Sequence, residues 1–106
     1  MENLKVCYKE CVLGELGFVD GQYVYVPNEQ GVKSALKKNY PIFLYNAETS
    51  FMSEVLPEPW QSLVISNEQQ NRMIVFGINE TDNDFERLLK VAKTDCHRPE
   101  FHFEII

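Results

Sequence analysis

The sequence predicts a small α+β domain, in which a curved antiparallel sheet carries about three packed helices. Three observations support this fold class. Strand-like segments separated by turn signals fill the first part of the chain, helical periodicity dominates the second part, and the last six residues alternate between apolar and polar again. The 106 residues are expected to form one domain (1–106), since this length can bury a core without metal or disulfide staples.

The N-terminal segments predict an antiparallel meander. Leu4–Tyr8, Cys11–Phe18 and Tyr23–Val26 are rich in strand-forming residues and are joined by short connections. Asp20-Gly21 is a strong hairpin signal, because both residues tolerate the positive φ that a tight turn requires. Pro27 ends the third strand, since proline has no N–H to donate.

The middle of the chain is harder to interpret. Residues 28–39 fit a short helix or an irregular segment, and Gly31 weakens the helical alternative. Pro41–Tyr45 is predicted to be a strand. Residues 47–56 place four apolar side chains on one helical stripe and therefore predict a helix that ends before Pro57.

The C-terminal half predicts two helices and a final strand. Ser66 is the expected cap of a helix over about 67–76, and Thr81 or Asp82 is the expected cap of the next one. Alternation over Phe101–Ile105 predicts a strand that returns to the sheet, because a strand is not stable in isolation.

Composition excludes several classes of function. Sixteen acids against ten bases give a net charge of −6, and Lys37-Lys38 is the only adjacent basic pair, so direct nucleic-acid binding is disfavoured. The apolar runs are too short to cross a bilayer, so no membrane association is expected. We expect a cytoplasmic location, because no signal peptide is readable. The initial Met without a tag favours a natural short protein over an excised domain.

A metal site can be drawn from the cysteines and histidines, but their spacing does not favour it. The candidates are Cys7, Cys11, Cys96, His97 and His102. They match no common zinc-binding pattern, and buried strand cysteines are usually core residues. The sequence therefore predicts no metal and no cofactor.

No catalytic set is readable either. Both histidines, His97 and His102, lie near the C-terminus, and no nucleophile elbow, glycine-rich phosphate loop or kinase motif occurs. We expect a binding protein and not an enzyme, with no catalytic residues.

The segment Pro57-Glu58-Pro59-Trp60 is the candidate partner-binding site. Two prolines predict an extended, stiff segment that presents the tryptophan at little entropic cost. Tryptophan is enriched at interface hot spots, yet a lone tryptophan in a small domain is also a usual core residue. Both alternatives for Trp60 stay open from the sequence.

Six segments resemble, in order, the N-terminal domain of HipA-type toxin kinases. They are Leu13-Gly14-Glu15-Leu16, Gly21-Gln22-Tyr23-Val24-Tyr25, Pro41-Ile42-Phe43-Leu44, Phe51 to Glu58, Phe85 to Leu89 and Thr94-Asp95-Cys96. The chain departs from the family at two points. His97-Arg98-Pro99 replaces a glycine, and Pro59-Trp60 replaces the glycine that usually follows Pro-Glu.

The resemblance implies a stand-alone, HipS-like component of a bacterial toxin–antitoxin system. Such a chain would bind a HipA-type serine/threonine kinase and hold it inactive, with Trp60 at or near the kinase active site. A helix-turn-helix DNA-binding protein is a possible further member of the same complex. The alternative is a bracing domain that supports the kinase or its DNA-binding partner without inhibiting catalysis.

Overall fold

A computed structural model describes residues 3–94 and 99–106 of the chain. One antiparallel five-stranded sheet, with strand order β4-β3-β2-β1-β5, organises these residues. The strands are β1 (Leu4–Tyr8), β2 (Cys11–Val19), β3 (Gln22–Pro27), β4 (Phe51–Ser53) and β5 (Phe101–Ile105).

Helical segments connect and cover the strands. The α-helices are α1 (Glu29–Lys37), α2 (Glu58–Gln61), α3 (Gln70–Phe76) and α4 (Asp84–Lys93), and a 3-10 helix spans Ile42–Tyr45. The predicted α+β class is confirmed, and the described residues contain four α-helices where about three were expected.

The predicted meander and its hairpin are confirmed. Asp20 and Gly21 have φ angles of 51° and 78°, as expected for a tight turn that brings Val19 opposite Gln22. The predicted return of the last strand is also confirmed, since β5 pairs with β1 and not with its neighbours in sequence. The sheet therefore joins the two ends of the described chain.

Gly31 does not interrupt α1. The helix begins at the Asn28 cap, whose side-chain oxygen accepts a hydrogen bond from the Gly31 N–H at 2.9 Å. A Cβ atom on Gly31 would lie 1.7 Å from the carbonyl oxygen of Val12 on β2. The glycine thus lets the first turn of α1 approach the strand backbone closely, which outweighs its low helix propensity.

Two predictions for the middle of the chain are wrong. Where a strand was predicted over Pro41–Tyr45, Ile42–Tyr45 forms a 3-10 helix, with Ile42 buried and Tyr45, three residues on, half-buried. Residues 47–56 contain the edge strand β4 where a helix was predicted. Pairing with β3 overrides the helical spacing there, because the same apolar residues also fit a strand.

The two later helices are confirmed, but their predicted starts are wrong. α3 begins at Gln70, and the Gln69 side chain instead accepts a hydrogen bond from the Ser66 N–H at 3.0 Å. α4 is capped by Asn83, whose Oδ1 accepts from the Glu86 N–H at 2.8 Å. Neither predicted cap, Thr81 or Asp82, holds that position.

The main core lies between the sheet and the helices and is strongly aromatic. Its largest fully buried side chains include Trp60, Tyr25, Leu4, Leu13, Leu16, Ile42, Leu56 and Leu88. A second, smaller cluster consists of Ile65, Met73 and Ile78. Most of the aromatic surface of the chain is therefore used for internal packing.

Candidate functional site

The segment that carries the predicted partner-binding residues is helical. Pro57 is extended (φ −54°, ψ 147°) and precedes the one-turn helix α2, which contains Glu58, Pro59 and Trp60. The prediction of an extended segment is therefore wrong beyond Pro57. Proline is tolerated at the start of a helix because the first N–H groups have no intrahelical partner.

Trp60 belongs to the core and is fully buried. Its indole Nε1 donates a hydrogen bond to the Tyr45 carbonyl oxygen at 2.7 Å. Its ring meets Tyr25, Phe51 and Phe101 edge-on, with centroid separations of 4.9, 5.2 and 5.4 Å. The expectation that Trp60 is presented to a partner is corrected here, because the aromatic cluster encloses the side chain and satisfies its one polar group.

Glu58 and Pro59 remain exposed, whereas Pro57 is half-buried. Two side chains that follow Trp60 hold the backbone of this turn. The Gln61 amide donates to the Leu56 carbonyl at 2.8 Å, and the Ser62 hydroxyl donates to the Pro59 carbonyl at 2.8 Å. Two of the four predicted site residues are thus fully available to a partner, on a well-anchored turn.

Apolar side chains also lie on the outer face of the sheet beside this turn. Met52 of β4 stands opposite Val24 of β3, and strand alternation places Val26 on the same face. Met52 is 67% exposed and Val26 is 59% exposed. Antiparallel sheets usually carry polar residues on a solvated face, so an apolar stripe here is typical of a contact surface.

Further exposed apolar residues flank β4 along the chain. Phe43 and Leu44 are exposed on the 3-10 helix, and Val55 is exposed two residues after the end of β4. We call the outer-face pair Val26 and Met52 the β4 surface. Sequence reasoning missed it, because the predicted helix over 47–56 assigned Met52 and Val55 to a buried stripe.

The basic pair of the sequence does not form a basic patch. Lys38 is paired with Glu10 at the β1–β2 turn, and the Tyr40 hydroxyl donates to the same carboxylate at 2.9 Å. The hydrogen bond from Lys38 is the main reason that the pKa of Glu10 is lowered to about 2. The charge of Lys38 is therefore used within the fold.

The structure groups two of the three described candidates for a metal site and leaves Cys11 outside that group. Cys11 lies at the start of β2, where its Sγ is 3.7 Å from the Ser34 hydroxyl. Cys96 and His97 lie outside the described residues. Cys7 and His102 do come together, and Glu104 joins them, with one potential ligand atom from each within 4.8 Å of the others. Glu104 was missed because the grouping depends on the β1–β5 register.

This cluster is not arranged as a cysteine nucleophile with its base. The His102 Nδ1 lies 3.0 Å from the Pro99 carbonyl oxygen, and its Nε2 lies 2.7 Å from a Glu104 carboxylate oxygen. Both ring nitrogens thus face oxygens and not the thiol. Cys7 is also only 2% exposed, which leaves no room for a substrate at its sulfur.

Comparisons with models of protein families, with curated proteins and with solved structures found no match to this chain. No helix within residues 3–94 and 99–106 combines the length and apolarity needed to cross a bilayer.

Proposed function

We propose that this chain is a cytoplasmic protein-binding module that restrains a HipA-type serine/threonine kinase. The binding half of the proposal is supported by one structural observation, the exposed apolar residues of the β4 surface beside the anchored turn of Glu58 and Pro59. The kinase half is supported by the ordered resemblance of six segments to the N-terminal domain of HipA-type kinases.

The β4 surface has features that suit a protein partner. The exposed Met52 side chain can bury a large apolar area on binding, and methionine is enriched at interfaces. β4 is an edge strand of only three residues, so its outer side is open to approach from a second protein. Glu58 adds a negative charge at the rim.

Trp60 has a different role in this proposal from the one the sequence suggested. It holds the turn from inside through its bond to Tyr45, so that Glu58 and Pro59 keep a fixed orientation. The contacts with the kinase would come from the β4 surface, Glu58 and Pro59.

The test combines co-purification and a kinase assay with a purified HipA-type serine/threonine kinase. Wild-type protein should bind the kinase and suppress its autophosphorylation. Met52→Glu, which places a charge in the β4 surface, should weaken binding by about 10-fold or more. Ile74→Glu is the matched control, because Ile74 is 79% exposed on α3 and lies outside that surface.

Each alternative has its own outcome. A kinase that binds the chain and keeps full activity would favour the bracing function over restraint. Equal loss of kinase binding in folded Met52→Glu and Ile74→Glu proteins would mean that the β4 surface is not the specific kinase-binding site. A failure to bind at all would overturn the proposed function.

A further inference from the structure

Three chemically different donors converge on two neighbouring strands. Cys7 of β1 lies directly opposite His102 of β5, and Glu104 is two residues further along β5. Strand alternation therefore places all three side chains on the sheet face opposite Phe101 and Phe103. One ligand atom from each of the three lies within 4.8 Å of the other two.

The ring of His102 is held in a defined orientation. Its Nδ1 lies 3.0 and 3.1 Å from the carbonyl oxygens of Pro99 and Glu100, so an N–H at this position donates to the backbone. Nε2 then points to the Glu104 carboxylate, 2.7 Å away. A backbone carbonyl that fixes the second ring nitrogen is a common feature of metal-binding histidines.

The short contact brings Nε2 of His102 and a carboxylate oxygen of Glu104 close enough to share one proton or one metal ion. In a neutral ring whose Nδ1 carries the proton, Nε2 and the carboxylate would oppose lone pair to lone pair. A proton on Nε2 removes this conflict, and so does a metal ion that binds both atoms. The sulfur of Cys7 beside them favours the metal ion over the proton, because a thiolate is a strong ligand for borderline and soft cations.

We infer that Cys7 Sγ, His102 Nε2 and a Glu104 carboxylate oxygen form a binding site for a zinc-like divalent cation. Sulfur, nitrogen and oxygen donors suit Zn²⁺, whereas Ca²⁺ and Mg²⁺ select oxygen ligands. Thiolate and carboxylate together balance the charge of the ion. Tetrahedral ligand atoms around zinc lie about 3.2–3.8 Å apart, so side-chain shifts of about 1 Å would complete the geometry.

The surroundings allow the ion to enter. The Glu104 side chain is 35% exposed and forms the solvent side of the cluster, while Cys7 forms its buried side. Lys5 of β1 lies between two acidic residues, opposite Glu104 of β5 on one side and Glu15 of β2 on the other. When Glu104 binds the metal ion, Glu15 therefore still lies opposite the charge of Lys5. Binding displaces the thiol proton of Cys7 and any proton on Nε2.

The experiment is a Co²⁺ titration of the full, chelator-treated, reduced chain, followed by displacement with Zn²⁺. We expect one equivalent to bind with a thiolate-to-cobalt charge-transfer band and tetrahedral visible bands. Cys7→Ser should abolish the charge-transfer band. Cys11→Ser is the matched control and should retain it, because Cys11 is a second buried strand cysteine whose thiol lies against Ser34.

Two outcomes would overturn the site: no thiolate band in the wild-type chain, or an undiminished band in folded Cys7→Ser. If Cys7→Ser does not fold, His102→Gln and Glu104→Gln decide the question, because both side chains are partly exposed. Each should weaken Co²⁺ binding about 10-fold or more, and unchanged affinity in both would refute the site. None of these results depends on the proposed kinase partner.

Discussion

The hydroxyl of Tyr25 lies 2.6 Å from the carbonyl oxygen of Ala47, inside the core. The same hydroxyl is 3.0 Å from the carbonyl oxygen of Leu13, so one O–H group serves two buried acceptors. Burial raises the pKa of Tyr25, as expected for a phenol that must stay neutral. Through this contact β3 holds both β2 and the segment that leads to β4.

Tyr25→Phe should therefore destabilise the fold by about 1–3 kcal/mol, because it removes the hydroxyl donor of the buried Ala47 carbonyl oxygen. The Leu13 carbonyl oxygen loses one donor but still accepts from the Asn28 N–H at 2.7 Å. The free energy of unfolding in urea measures the loss. Tyr45→Phe is the matched control, since the Tyr45 ring stacks on Phe101 while its hydroxyl has no hydrogen bond to a described residue. Equal losses in the two variants would contradict the assigned role of the Tyr25 hydroxyl.

Trp60→Ala should cost about 3–5 kcal/mol of stability, because it opens a large cavity at the centre of the aromatic cluster. Trp60→Phe keeps much of the volume and should cost less. Thermal and urea unfolding give both values. The Phe variant also tests function, because folded Trp60→Phe should bind the kinase as the wild type does. If this variant folds but loses kinase binding, Trp60 contacts the partner after all.

Arg87 is buried and should be intolerant of substitution. Its guanidinium donates to the carbonyl oxygens of Ile65 and Asp82, at 2.8 and 2.9 Å, and to the Asn67 side chain at 2.7 Å. Lysine cannot reproduce this fork of donors. Arg87→Lys should thus lose about 2 kcal/mol or more, whereas Arg72→Lys, at an exposed position, should change stability by less than about 0.5 kcal/mol. Similar values for both would refute the prediction.

Tyr8 should make stability sensitive to alkaline pH. Its hydroxyl donates to Glu100 at 2.6 Å, and this bond is the main reason that its pKa is raised from 10.0 to about 12. The folded state favours the neutral phenol of Tyr8. The contribution of this phenol to the free energy of unfolding is therefore complete below pH 10 and is lost as pH rises through about 12.

Urea unfolding of the wild type and Tyr8→Phe across this range measures the effect. The difference in stability between the two proteins should shrink as pH rises, because only the wild type ionises at this position. A difference that stays constant with pH would mean that the bond to Glu100 does not stabilise the neutral form.

Features set by local physics were predictable from the sequence. The Asp20-Gly21 turn, the strand end at Pro27 and the alternation of β5 depend on neighbouring residues, and all three are found. Residues 47–56 were mispredicted because Phe51 and Met52 fit either a helical stripe or a short strand. Only pairing with β3, a long-range interaction, decides between these alternatives.

The same distinction applies to the candidate sites. The two prolines predicted an extended segment, which is wrong beyond Pro57. The burial of Trp60 depends on the rings of Tyr25, Phe51 and Phe101, which come from three distant strands. The grouping of Cys7 with Glu104 depends on strand register, which no local pattern encodes.

The pairing of β5 with β1 has a consequence for the synthesis of the chain. β1 is synthesised before β2, β3 and β4, and its partner β5 follows only after all three have been made. Until then β1 is an exposed sheet edge with apolar side chains and unpaired backbone groups, which invites association with other nascent chains. We therefore expect translation speed and chaperone supply to govern the soluble yield of this protein more than its final stability does.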